Sequence, residues 1–141
     1  MSEANRAEAE RIFLSAPFVV DIGLRLDSVE AGRCCTSLTL AERHLQQDGF
    51  VHAGVQATVA DHTAGAAASS LVGPDQYVLT ADFKISLLRA AQGPLLTCIA
   101  KVLKAGASLT VVESEVYCGP AGDLRLVSKA TVTLAVVSRR G

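Results

Sequence analysis

Asp61 is the residue whose type and setting first demand a chemical explanation. It sits inside AGVQATVADHTAGAAASSLV, residues 53–72, a stretch made mostly of Ala and other small or apolar residues. A carboxylate there is costly to desolvate unless it is paired, hydrogen-bonded or open to a cleft, and Asp is a poor helix-interior residue. Two chemical roles suit it: a general base that activates water, or a nucleophile that attacks an acyl carbonyl. The structural alternative is an Asp bonded to Ser or Thr hydroxyls, or to backbone, at a subunit contact. At the start of the same stretch stand Ala53 and Gly54. The first N–H groups of a helix have no intrahelical partner and lie at the positive end of its dipole, so these two are candidate donors to an oxyanion, as the start of any helix would be. Ala53 and Asp61 are eight residues apart, about 12 Å along a helix. One subunit therefore cannot bring both to a single carbonyl. A site that uses both takes Asp61 from a neighbouring chain, which makes a homodimer with paired sites the minimum active unit.

These residues must be positioned by the elements around them. SEANRAEAERIF reads as a short amphipathic helix that ends by Pro17. VVDIGLRLDSV and CCTSLTL alternate or run apolar on either side of Gly32, which predicts a first hairpin. AERHLQQDGFVH, residues 41–52, is polar and breaks the alternation, as a loop does. Residues 53–72 are too long and too poor in β-branched residues for a strand and are small or apolar almost all round, so they predict a helix buried on most of its surface. Four further alternating stretches follow, YVLTADFKISLLRA, GPLLTCIAKVLKAG, SLTVVESEVYCG and DLRLVSKATVTLAVV, separated by turn residues and expected as a meander. The fold class is α+β: an antiparallel sheet of about six strands curved around the Ala-rich helix, in one domain spanning residues 1–141.

Composition narrows the function. The chain has 141 residues, 50% hydrophobic, with a formal net charge of -1, enough for one core without disulfides or metal. Near-neutral charge and 4% aromatic content argue against nucleic acid and against an anionic membrane surface as partner. No apolar run approaches the roughly 20 residues that span a bilayer, and the N-terminus is acidic, so a cytoplasmic location is expected. Cys34, Cys35, Cys98 and Cys118 form no CxxC and read as buried reduced thiols. His44 and His62 flank the Asp61 region without a fitting third metal ligand.

Residues 44–61, HLQQDGFVHAGVQATVAD, resemble in order and spacing the hotdog-fold thioesterases of the phenylacetate-pathway (PaaI-like) family, whose motif runs roughly H-x-N-x-x-G-x-x-H-G-G followed by six residues and Asp. The strand pattern on either side agrees over nearly the whole chain. Gln46 stands where that family usually has Asn, and Ala53 where it usually has the first Gly of the pair. Gln keeps the amide with one more methylene. Ala53 still offers its N–H if the site needs no positive φ. The resemblance implies a hotdog fold and hydrolysis of an acyl-CoA thioester without a cofactor, with Asp61 as base or nucleophile and the helix N–H groups as oxyanion hole. It also implies a homodimer with shared sites, itself pairing into a dimer of dimers. The alternative is a non-catalytic acyl-CoA-binding or regulatory module of the same fold. A hotdog dehydratase ranks behind both, because that family's Pro- and Gly-rich loop with its His is missing.

Further site residues follow from this frame. Gln46 is expected to orient the thioester or the water through its amide, against the plain reading of an exposed loop Gln. Thr80 falls where related enzymes often place a hydroxyl that bonds the water or the acid, against that of a solvent-facing strand Thr. His52 is expected to fix the loop and the helix start beside the substrate. Arg89 is the candidate for the coenzyme A phosphates, with Lys84, Lys101, Lys104 and Arg125 as other cations that are otherwise solvated strand charges. Phe50, Val51 and Val55 are expected to line the acyl end or to belong to the core.

Overall fold

The computed structural model describes residues 2–139. Ser2 caps helix α1 (Glu3–Ser15), its hydroxyl accepting from Asn5 N. A second helix, α2 (Pro17–Ile22), follows where the alternation predicted a strand from Val19 onward. Pro17 presets the first helical position, and Gly23, at φ +93°, closes the helix by donating to the Val19 and Val20 carbonyls. The strand begins only at Arg25. β1 (Arg25–Glu30) and β2 (Arg33–Thr39) form the expected hairpin through Gly32, at φ +74°.

The central helix α3 (Ala53–Ser69) is three residues shorter than the predicted 53–72. Ser70 ends it, accepting from Gly32 N at 2.7 Å and donating to Ala67 O at 2.7 Å, which ties the helix end to the first hairpin. Then come β3 (Gln76–Leu87), β4 (Leu95–Ala105), β5 (Leu109–Gly119) and β6 (Arg125–Ser138). All pairs are antiparallel, in the order β1-β2-β4-β5-β6-β3. The four-strand meander holds only for β4, β5 and β6. β3 leaves the far end of α3 on the β6 side and pairs there, becoming an edge strand, while β4 fills the place beside β2.

The sheet curves around α3. Val59, Ala60, Thr63, Ala64, Ala66 and Ala67 have no solvent exposure and meet Cys98, Ala100, Val112, Val116 and Val132 of the sheet in one core. Alanines on the helix let the sheet approach closely. Between helix and sheet, Thr36 pairs with Thr63 at 2.8 Å, and Ser114 Oγ donates to Ala60 O at 2.8 Å. Pairing matters because a buried polar group left alone costs about 1–3 kcal/mol. Cys34, Cys98 and Cys118 are buried free thiols whose burial pushes their pKa values up, that of Cys98 to about 12. They are protonated and unreactive at neutral pH.

Candidate active site

The loop before α3 is built from its own polar groups. His44 is buried, accepts from Ala41 N at Nδ1 (2.9 Å) and so donates from Nε2 to Ile22 O (2.8 Å), pinning the loop to α2. Gln46 closes the turn up to Phe50, its Oε1 accepting from Asp48 N and from Phe50 N. With the oxygen committed to the loop, Nε2 makes no bond among the described residues and is the group left to face a ligand. The segment after β3 runs alongside: Val51 N donates to Ala91 O at 2.9 Å, and Leu40 N to Pro94 O at 2.9 Å.

His52 is the N-cap of α3. Its Nδ1 accepts from Gly54 N at 2.8 Å, and a Cβ at position 54 would meet that nitrogen at 3.0 Å, so glycine is what lets the ring fold over the helix start. The pairing departs from one expectation, since the Gly54 N–H is occupied by His52 rather than open to an oxyanion. The Ala53 N–H has no partner among the described residues. Among the described residues no non-glycine residue has a positive φ, so Ala53 holds its place without backbone strain.

Gln46, Phe50, Val51, Ala53 and Arg89 surround a single cleft of about 370 Å³ that also takes in Gln56, Leu87 and Leu88. Five residues singled out in the sequence thus meet in one place. Val55 does not join them and packs against the core. Lys84, Lys101, Lys104 and Arg125 lie outside it, and Arg125 stands 4.0 Å from Asp123.

Asp61 opens on a second cleft, of about 230 Å³, that shares no lining residue with the first. Thr80 Oγ1 donates to Asp61 Oδ1 at 2.7 Å, so the strand Thr holds the acid rather than simply facing solvent. Phe18 of α2 and Phe83 of β3 form apolar walls, 66% and 40% exposed. Neither was singled out from the sequence, although Pro17 and Gly23 bracket the short helix that carries Phe18. Next to Asp61, His62 is held by Ile12 O at 3.3 Å and by the edge of Phe13, ring centroids 4.7 Å apart. Burial pulls the His62 pKa below the usual 6.5 against that hydrogen bond and the Asp61 charge.

A larger cavity, about 580 Å³, lies elsewhere, at the C-terminal end of α3 among Asn5, Glu8, Arg11, Gln76 and Arg139. Its charges are spent on each other, Glu8 with Arg11 at 2.8 Å and with Arg139 at 3.1 Å. None of the residues singled out for the reaction lines it, so size does not identify the site. Among the described residues no three His, Cys, Asp or Glu side chains gather as metal ligands, and no helix is long and apolar enough to cross a membrane.

Comparison with known proteins agrees with this architecture. The thioesterase superfamily model matches residues 48–124, from the loop before α3 to the start of β6. The 1,4-dihydroxy-2-naphthoyl-CoA hydrolase of Listeria monocytogenes is 28% identical over 113 residues, covering 80% of this chain and 91% of that protein. A thioesterase family protein from Silicibacter pomeroyi superposes with a TM-score of 0.92 at 32% identity, covering 95% of this chain and 98% of its own. A phenylacetic acid degradation-related protein from Ralstonia eutropha JMP134 shares the fold, with a TM-score of 0.78 at 21% identity and coverage of 90% and 98%. With a six-stranded antiparallel sheet wrapped on a buried helix and a family match over most of the functional region, the chain belongs to the thioesterase superfamily as a hotdog-fold thioester hydrolase.

Proposed function

We propose that this chain is an acyl-CoA thioesterase whose active site joins the Ala53 cleft of one copy to the Asp61 cleft of another. The observation that carries the reading is the division of labour along α3. An unpartnered Ala53 N–H and the Gln46 amide N–H groups lie in one cleft, and a carboxylate oriented by Thr80 lies in a different one. In the reaction, the Ala53 N–H polarises the thioester carbonyl and holds the oxyanion, while Gln46 orients the thioester. Asp61 from the second copy takes a proton from water as its oxygen bonds the carbonyl carbon; the C–S bond then breaks and the thiolate leaves with the proton. In the other version the Asp61 carboxylate attacks, the thiolate leaves, and water hydrolyses the resulting anhydride. Labelled oxygen from water entering Asp61 during a single turnover distinguishes the two.

Arg89 at the rim of the Ala53 cleft suits the phosphates of coenzyme A. An acyl group of aryl type is the first candidate, given the naphthoyl-CoA hydrolase relative. The second copy has a surface to meet. β3 is an edge strand, and Leu79 and Phe83 on it are 54% and 40% exposed. The proposed unit is one domain assembled as a homodimer, with dimers pairing further, acting in the cytoplasm on a small-molecule thioester.

The test is release of free coenzyme A, followed by chromatography so that protein thiols do not interfere, from aryl-acetyl, aroyl and short-, medium- and long-chain thioesters. Turnover that falls by about 10²–10⁴ in Asp61→Ala supports the reading. Undiminished turnover in the variant overturns it, and saturable binding without hydrolysis by the native chain moves the assignment to an acyl-CoA-binding module.

A further inference from the structure

α2 is a six-residue helix whose one buried side chain is Val19, and it brings Phe18 and Val19 into the wall of the Asp61 cleft. A helix this short has little stability of its own, so its neighbours set its position. Among the described residues, the hydrogen bonds between α2 and elements that do not flank it all end on Ile22 O. His44 Nε2 donates to that carbonyl at 2.8 Å and Arg43 Nη2 at 2.9 Å. The imidazole is held from its other side by Ala41 N at 2.9 Å and is only 2% exposed, which fixes both its orientation and its tautomer. The main chain of His44 serves the other cleft. His44 O accepts from His52 N at 2.9 Å, and the bridge between Leu45 and Val51 follows directly, so the same residue sets the loop that carries Gln46 and the helix start that carries Ala53.

We infer that His44 is a positioning residue for two active sites at once, its imidazole holding α2, and with it Phe18, against the thioester that a second copy presents to Asp61. The inference rests on the reading that the Ala53 cleft of one copy acts with the Asp61 cleft of another. On that reading the backbone and the ring of His44 act at different sites, because the two clefts of one chain face different substrate molecules. Loss of the ring N–H leaves Ile22 O with Arg43 alone and loosens the end of α2. Phe18 then packs less well on the bound thioester, while Asp61, held by Thr80, keeps its place. The effect therefore falls on KM and spares kcat.

The test uses a mixed dimer with one working site, made from an Asp61→Ala chain, which supplies Ala53, and an Ala53→Pro chain, which supplies Asp61. His44→Phe is added to one chain or the other, and kcat and KM are measured with the thioester, aryl or aliphatic, that the native chain turns over fastest. In the chain that supplies Asp61 the substitution should raise KM about tenfold with kcat held. In the chain that supplies Ala53 it should change KM far less. His44→Gln in the Asp61-supplying chain, with an amide N–H near the position of Nε2, should restore most of the lost affinity. Arg43→Ala removes the other donor to Ile22 O from an exposed position and should show the same asymmetry by a smaller factor, which reads the tie even where His44→Phe does not fold. Equal effects in the two placements, or an effect confined to the chain that supplies Ala53, overturn the inference. A mixed dimer that is inactive before His44 is changed instead removes the split-site reading, and the inference with it.

Discussion

The two clefts along α3 offer opposite chemistry. The one at the helix start presents donors, the Ala53 N–H, the Gln46 amide nitrogen and the Arg89 cation, and has no carboxylate among its lining residues. The one two turns further on presents an acceptor, Asp61, steadied by Thr80 between two phenylalanines, and has no Lys or Arg among its lining residues. Donors suit an oxyanion and its phosphates, and a carboxylate suits the attack on a carbonyl, so each cleft lacks what the other supplies. On the proposed reading, a helix too long to serve both ends of one reaction within a chain serves them between chains.

The comparison breaks most sharply at Ala53. Ala53→Pro deletes only the N–H, because the first position of a helix accepts proline and His52, at φ -59° and ψ 137°, already has the extended backbone that precedes one. Turnover should fall by about 10²–10³ with circular dichroism and melting temperature retained. Full turnover would take the oxyanion role away from this end. Thr80→Val removes the hydroxyl that orients Asp61 and should lower kcat by about tenfold with KM held, since hydrogen bonds to charged groups contribute about 1.5–3 kcal/mol and this one is partly exposed. An unchanged kcat would make Thr80 a bystander.

The smallest effect concerns stability. Burial holds the His62 pKa below its unfolded value of 6.5, so the unfolded chain binds a proton first as pH falls. Stability should therefore decline below about pH 6.5 and down through the folded pKa, and His62→Phe should flatten that decline in melting curves. A second loss is expected below pH 4.5, where Glu8, lowered mainly by its hydrogen bond to Arg11, begins to be protonated. A native melting temperature independent of pH between 7 and 5 would contradict the His62 assignment.

Much of this arrangement was legible in the residues. The Ala-rich run at 53–72 had one available fate, a buried helix, and Asp61 within it needed a partner that turned out to be Thr80. Gln46, Phe50, Val51, Ala53 and Arg89 converge as expected because loop and strand end are stitched together by backbone bonds on both sides. What local reading missed depends on longer-range causes. Phe18 was hidden by an apolar run that fits a strand or a helix equally, and the flanking Pro17 and Gly23 were the deciding signal. The place of β3 beyond β6 is set by the exit of α3, which no alternation records. Gln56 resembles any helix polar residue until its burial and missing partner are seen. The engagement of Gly54 by His52 depends on a side-chain torsion that a motif does not encode.

The central claim is that the two clefts act across copies. Co-expressing differently tagged Asp61→Ala and Ala53→Pro chains and isolating the mixed dimer places both lesions in one site and leaves the other intact. The account predicts about half of the native turnover from two nearly inactive parents. A mixed dimer as inactive as its parents would show that both groups act within one chain, and would contradict the claim.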